Sequence, residues 1–226
     1  MKVELMNHFG DDLMVVNAAR VSYGKEKLDF DEKDSKLIKF LVEHKHVAPF
    51  RHPQLQFRIQ CSIFVERQLF KHQVGLSANS ISGRYVDFSD KYHETSELRK
   101  QSKSSKQGSE GVLDRPDLIE KMKSHVESSK TLYKELCDAG VAKEQARVIL
   151  PLCLETQFMW TGSLLAYIHL WNLRLKPDAQ LETREVAQKM LDLVKDIRVL
   201  KYVHKDGVNH PVRYSPFEHT IEAFGL

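Results

Sequence analysis

Residues 54–72, QLQFRIQCSIFVERQLFKH, change periodicity halfway along. From 54 to 60 the chain alternates strictly. Leu55, Phe57 and Ile59 share one side, and Gln54, Gln56, Arg58 and Gln60 share the other. Side chains two apart on an extended chain point the same way, so the pattern predicts a strand with one buried face. From Ser62 to His72 the period lengthens to that of a helix, with Ser62 placed as its N-cap. A strand that feeds directly into a helix points to an α/β or α+β fold.

The flanks extend that reading. Residues 1–23 read as a strand, a turn at Gly10–Asp12 and a short helix ending near Ala18–Ser22. Residues 31–44 place Leu37, Ile38, Leu41 and Val42 at helical spacing, with acids in the first turn where the helix dipole favours them. Pro49 and Pro53 bracket a loop. Residues 74–89 are rich in Gly and Ser without a sustained period and read as a structured loop. Residues 96–111 are polar and basic and read as a mobile surface loop. A helix is expected over 116–138, opened by Pro116 and stopped at Gly140, with a short one over 142–150. A buried strand is expected over 152–160, an apolar helix over 163–174 capped by Thr161 or Ser163, and a long helix over 179–200 capped by Asp178. The tail is expected to turn at Asp206–Gly207 and around Pro211. Strands and helices interleave without a regular rhythm, which predicts one α/β (α+β) domain over residues 1–226, a mixed sheet flanked by helices.

The bulk numbers agree with a soluble globular chain. There are 226 residues, 42% hydrophobic and 29% charged, with a net charge of +3. That length suits one well-packed domain. The small basic excess fits an anionic small molecule as readily as a polynucleotide. Cys61, Cys137 and Cys153 are far apart and form no CxxC, which argues against a disulfide framework or thiolate zinc site and for a reducing compartment. Glu4, Asp11 and Asp12 interrupt the N-terminal apolar residues, so no signal peptide is expected, and no stretch is long enough to span a membrane. A cytoplasmic protein follows as the expectation. His44 and His46 are a weak metal hint, and no metal site is predicted.

Chemistry concentrates between Glu66 and Phe88. The predicted helix delivers Arg67, Gln68, Lys71 and His72 at its end, with Gln68 and Lys71 on one face. Small and hydroxyl residues follow, Gly75, Ser77, Asn79, Ser80, Ser82 and Gly83, and then Arg84–Tyr85. Small residues let a ligand approach the backbone, free amides and hydroxyls hold phosphate or carbonyl oxygens, and arginine clamps phosphate in a bidentate manner. Composition alone leaves this open between a ligand cradle and a plain Ser/Gly turn.

The exact pattern, Ser77, Asn79, Ser82, Arg84 and Tyr85 after a basic–His cluster, resembles the signature of the flavin-dependent thymidylate synthases, the ThyX family. In that family the cluster reads Arg-His-Arg and a Glu follows the Asn. Here the cluster is Lys71–His72–Gln73, the loop is one residue longer, and Ser80 follows Asn79. Four further segments resemble the family in the same order: Ala18–Ser22, His46–His52, Ala146–Pro151 and Ser163–Gln180. Leu165 and Ser163 stand where the family has Arg and Asn.

The resemblance implies a ThyX-like fold and the reductive methylation of dUMP to dTMP. The cofactor would be FAD, with NADPH and methylenetetrahydrofolate as co-substrates and active sites shared within a homotetramer. By this resemblance Arg174 is the catalytic residue, held against the pyrimidine as a permanent cation. Gln68, Lys71, Ser80, Ser82, Gly83, Arg84 and Arg147 would join it in binding dUMP. Ser22, His46, Lys71, His72, Gln73, Ser163 and His169 would face FAD. No cysteine sits in a nucleophile setting, so flavin chemistry takes the place of a thiolate. Alternatives are a dUMP hydroxymethylase or UMP methylase on the same scaffold, or a non-catalytic nucleotide- or flavin-binding paralogue. Neither nucleic acid nor membrane is an expected partner.

Overall fold

In the computed structural model, which describes residues 1–86, 90–205 and 208–226, the strand that begins at Gln54 is one of two central strands of the sheet. The chain runs through β1 (Lys2–Phe9), α1 (Asp12–Arg20), α2 (Glu32–Glu43), β2 (Gln54–Ser62), α3 (Ile63–Leu69) and β3 (Leu76–Ser80). It continues through β4 (Leu98–Gln101), β5 (Ser109–Leu113), α4 (Pro116–Asp138), α5 (Lys143–Ala146) and β6 (Glu155–Ser163). It ends with α6 (Leu164–Arg174), α7 (Leu181–Lys195), β7 (Val199–Lys205), β8 (Val208–Tyr214) and α8 (Glu218–Ala223). The main sheet has the order β1-β2-β6-β3, and β4-β5 and β7-β8 form two separate hairpins.

The expected helices flanking a sheet are present, but the pairing is antiparallel at every described contact rather than mixed. The reason lies in the insertion of β6. β2 and β3 run the same way on either side of it, linked by α3, so the parallel relationship never becomes a hydrogen-bonded pair. β2 and β6 pair along their full length, Gln54 opposite Ser163 and Ser62 opposite Glu155.

The alternation read in 54–60 is the burial pattern of β2. Leu55, Phe57, Ile59 and Cys61 are buried, while Gln54, Gln56, Arg58 and Gln60 remain partly exposed. Phe158 and Trp160 of β6 extend that inner face, and α6 and α7 cover it with Tyr167, Ile168, Trp171, Val186, Met190 and Val194. The Tyr167 hydroxyl donates to the Trp160 carbonyl at 2.8 Å, pinning α6 to its own strand. A smaller core joins Val15 and Val16 of α1, Ile38 and Leu41 of α2, Phe50 and Leu165.

Several expectations are corrected. The Ser/Gly stretch contains β3, because backbone pairing with β6 from Leu76 opposite Gly162 to Ser80 opposite Phe158 supplies order that the side chains do not announce. The polar stretch 96–111 is a hairpin, β4–β5, in which the Gln101 amide donates to the Ser105, Lys106 and Gly108 carbonyls. The strand placed at 152–160 starts at Glu155, and the helix placed at 179–200 runs 181–195 with Gln180, not Asp178, at its N-cap. Pro211 lies within β8 rather than at a turn, and Asp206–Gly207 lies outside the described residues. Ser163 caps α6 by accepting from Ala166 N at 3.3 Å, whereas Ser62 makes no side-chain cap.

Candidate active site

The ends of α3 and α6 meet. Arg174, the last residue of α6, donates from Nη2 to the Gln68 carbonyl and from Nε to His72 Nε2, both at 3.0 Å. A guanidinium only donates, so His72 Nε2 is the acceptor and its proton sits on Nδ1. Burial, and then the charges of Arg174 and His169, hold the His72 pKa below the usual histidine value. The imidazole is therefore neutral at neutral pH, and its Nδ1–H has no hydrogen-bond acceptor among the described residues. Arg174 is half-buried, and burial lowers its pKa from a very high ordinary value. It remains a cation.

Gln68 is held from a second side by the start of α7. Its Nε2 donates to Gln180 Oε1, and Thr183 Oγ1 donates to its Oε1 at 3.1 Å. Gln180 Nε2 donates to Glu182 Oε2 at 2.9 Å, and Arg99 of β4 donates from Nη2 to Glu182 Oε1 at 2.6 Å. Gln180, Thr183, Glu182 and Arg99 were not among the sequence-predicted site residues. Gln180 closes the resembled segment 163–180, which was the one available signal.

Lys71 and Gln73 are exposed beside His72, and His169 is exposed on α6. Ser163 is buried, and its amide donates to the Gly75 carbonyl at 3.1 Å. The junction is tight. Gly75 has φ +75°, and a Cβ there would lie 3.2 Å from Ser163 Oγ. A Cβ on Gly162 would lie 2.5 Å from the Gly75 carbonyl oxygen, so both positions require glycine. Leu165 points into the core with Val15, Val16 and Phe50, not toward the His72–Arg174 cluster.

The other predicted nucleotide residues form a second group. Ser80 Oγ donates to Glu66 Oε1 at 2.8 Å. A carboxylate thus stands next to position 80 although the residue there is serine, and burial raises its pKa. Gly83 is buried, and Ser82 Oγ accepts from Arg84 N at 3.4 Å. Arg84 is exposed and lies over the Tyr85 ring, 5.2 Å from its centroid. Arg147 is exposed at the turn after α5. Ser22 donates to the Ala19 carbonyl, and His46 lies near the ring of Phe40, at the α1–α2 side of the molecule. One chain therefore unites Gln68, His72, His169 and Arg174, and it does not bring Ser82, Arg84, Arg147, Ser22 or His46 into hydrogen-bond contact with them among the described residues. His44, half of the weak metal pair, stacks on Phe40 with ring centroids 4.0 Å apart.

A cationic, amide-lined cluster thus lies at the ends of two helices on an antiparallel α/β scaffold, an arrangement suited to an anionic small molecule. The family model described as thymidylate synthase complementing protein matches residues 4–198, and the chain belongs to that family, the flavin-dependent thymidylate synthases. A flavin-dependent thymidylate synthase from Thermus thermophilus is 39% identical over 194 residues, covering 86% of this chain and 71% of that relative. One from Thermosipho africanus is 39% identical over 200 residues, covering 86% of both. Among solved structures, a UMP/dUMP methylase, PolB from Streptomyces cacaoi, bound with 5-Br dUMP, superposes with a TM-score of 0.81 at 27% identity, covering 99% of this chain and 94% of that one.

Proposed function

We propose that this protein is a flavin-dependent thymidylate synthase that transfers a one-carbon unit from methylenetetrahydrofolate to C5 of dUMP and reduces it to a methyl group, with NADPH as electron donor. The observation that carries this reading is the Arg174–His72–Gln68 cluster, in which His72 and Arg174 come from two segments that resemble the family. Arg174 uses Nε and Nη2 on the protein and keeps its remaining N–H groups for a ligand. A fixed cation beside the pyrimidine favours the ionised N3 form, whose electron density makes C5 the nucleophile. Gln68 orients the base, and its side chain is held before the ligand arrives.

The same donor set fits FAD. Lys71, the His72 Nδ1–H and exposed His169 offer cationic and donor groups to an anionic cofactor at one place. Reduced FAD supplies the hydride when bound. Cys61 and Cys153 are poor competing nucleophiles. Burial, then the Glu66 and Glu155 charges, pushes the Cys61 thiol up to about 12, and burial also raises Cys153.

Sites shared within a homotetramer account for the split between the two groups of residues. Val74, Tyr85 and Val148 are 90%, 76% and 79% exposed, and each lies beside a predicted nucleotide or flavin residue. Exposed apolar side chains beside those residues suit a subunit contact that would bring Arg84 and Arg147 of one copy to Arg174 of another. Three free cysteines support a reducing, cytoplasmic setting. No helix among the described residues is long and apolar enough to cross a membrane.

The test is the mass of the nucleotide formed from dUMP, methylenetetrahydrofolate and reduced FAD. A product heavier by one methylene group is expected. An added hydroxymethyl group moves the function to a hydroxymethylase, and unchanged dUMP contradicts the reading. UMP belongs in the same assay, because the Streptomyces relative that aligns along nearly the whole chain is described as a UMP/dUMP methylase.

A further inference from the structure

The polar hairpin β4–β5 has no obvious task in nucleotide binding, yet one of its side chains ends a continuous chain of hydrogen bonds leading to Gln68. Arg99 holds Glu182 Oε1, Glu182 Oε2 accepts from the Gln180 amide, the Gln180 carbonyl oxygen accepts from the Gln68 amide, and Thr183 donates to the Gln68 carbonyl oxygen. Glu182 is buried and Arg99 is half-buried, so the pair is shielded from water.

Each link has a direction. A carboxylate only accepts. Its second oxygen therefore forces Gln180 to turn its NH₂ toward α7 and its oxygen toward Gln68. That oxygen in turn forces Gln68 to turn its NH₂ toward Gln180 and its oxygen toward Thr183. The orientation of the Gln68 amide is thus set two residues away, by a charge.

We propose that Arg99 and Glu182 are positioning residues that fix the orientation of the Gln68 carboxamide for the nucleotide. This rests on the reading of Gln68 as a nucleotide-binding residue. Burial opposes ionisation of Glu182, but the Arg99 guanidinium, its own backbone amide and Gln180 outweigh it and keep the carboxyl below its ordinary range. Glu182 also lies in the first turn of α7, where the helix dipole favours a negative charge. Removing the charge while keeping the shape lets Gln180 flip, and Gln68 loses its single orientation.

The experiment is dUMP binding by titration calorimetry and dUMP steady-state kinetics for wild type, Glu182→Gln, Arg99→Ala, Arg99→Lys and the Arg99→Ala/Glu182→Gln double variant, with a crystal structure of ligand-free Glu182→Gln. Loss of one charge-assisted hydrogen bond corresponds to about a tenfold rise in Kd and KM, with kcat changed much less. Arg99→Lys should recover part of the Arg99→Ala loss, and the double variant should be no weaker than the worse single variant, since the residues act in series. The crystal structure should show Gln68 detached from Thr183 or Gln180. A folded Glu182→Gln protein with wild-type dUMP affinity contradicts the proposal, as do fully additive losses or a Glu182→Gln crystal structure in which Gln68 keeps both partners. If Glu182→Gln does not fold, the two Arg99 variants decide. If wild type binds no dUMP, the nucleotide reading fails, while the crystal structure still judges whether Glu182 orients Gln68.

Discussion

Two strand–helix units lie side by side in this molecule, and they are built alike and used differently. β2 and β6 are each nine residues long, antiparallel and in register over their whole length. Each ends in a serine that begins a helix, Ser62 at φ −67°, ψ 151° and Ser163 at φ −68°, ψ 152°. Beyond that the units diverge. α6 is buried along most of its length, from Leu164 to Trp171 except His169, and its serine caps it through the side chain. α3 is shorter, buries only Val65 and Leu69, and its serine hydroxyl has no partner among the described residues. α6 is thus scaffold up to its last residue, Arg174, whereas α3 is a short carrier for Gln68 and the Lys71–His72–Gln73 run. The same local geometry gives one helix to the core and the other to the candidate site.

The largest expected effect tests the scaffold half. Trp171→Ala should destabilise the protein by about 3–5 kcal/mol in urea denaturation, because the indole is fully buried and leaves a cavity. Gln68→Ala should shift the midpoint little while weakening dUMP binding. Similar losses of stability from both would erase the distinction. Next, Arg174→Ala should lower dUMP turnover about 100-fold with a small change in stability, read by comparing kcat with the thermal midpoint. A large fall in stability with turnover intact would return Arg174 to the scaffold. The serines give a smaller and sharper contrast. Ser163→Ala should cost about 1 kcal/mol through the lost cap, and Ser62→Ala should be neutral or slightly stabilising because it removes a buried, unpartnered hydroxyl. Equal effects would mean that the two N-termini are equivalent after all.

The smallest effect is one of pH. The folded protein holds the His72 pKa below that of the unfolded chain. Its contribution to stability is full above about pH 6.5 and declines as the pH falls toward the folded value, because the unfolded chain binds the proton first. Protonated Nε2 can no longer accept from Arg174, so dUMP affinity should weaken over the same acidic interval and do so less in His72→Asn. An identical acid limb in His72→Asn would assign the titration to another group.

What the sequence disclosed follows from where order comes from. β2 and α3 were legible because their own side chains alternate and then repeat at helical spacing. β3 was not, because Leu76–Ser80 carries one large apolar residue and owes its form to β6. The hairpin β4–β5 was hidden for a related reason. Its residues are polar, and its shape comes from Gln101 and the Arg99–Glu182 pair rather than from apolar burial. The cap of α7 was misplaced because Asp178, an acceptable cap by type, is followed by a turn in which Ala179 N donates to the Lys176 carbonyl, so the helix begins later. Of the residues expected at the site by pattern, Arg174, His72 and Gln68 are brought into contact by the fold. Glu66 escaped because its role at Ser80 exists only once β3 lies beside α3.

The most direct test of the central claim, that the ends of α3 and α6 form the nucleotide site, is a crystal structure of the protein with dUMP. The account predicts the uracil ring against Arg174 and within hydrogen-bonding distance of Gln68, with the phosphate held by Arg84 and Arg147 of neighbouring copies. A nucleotide bound elsewhere, with Arg174 still joined only to His72 and the Gln68 carbonyl, would contradict it.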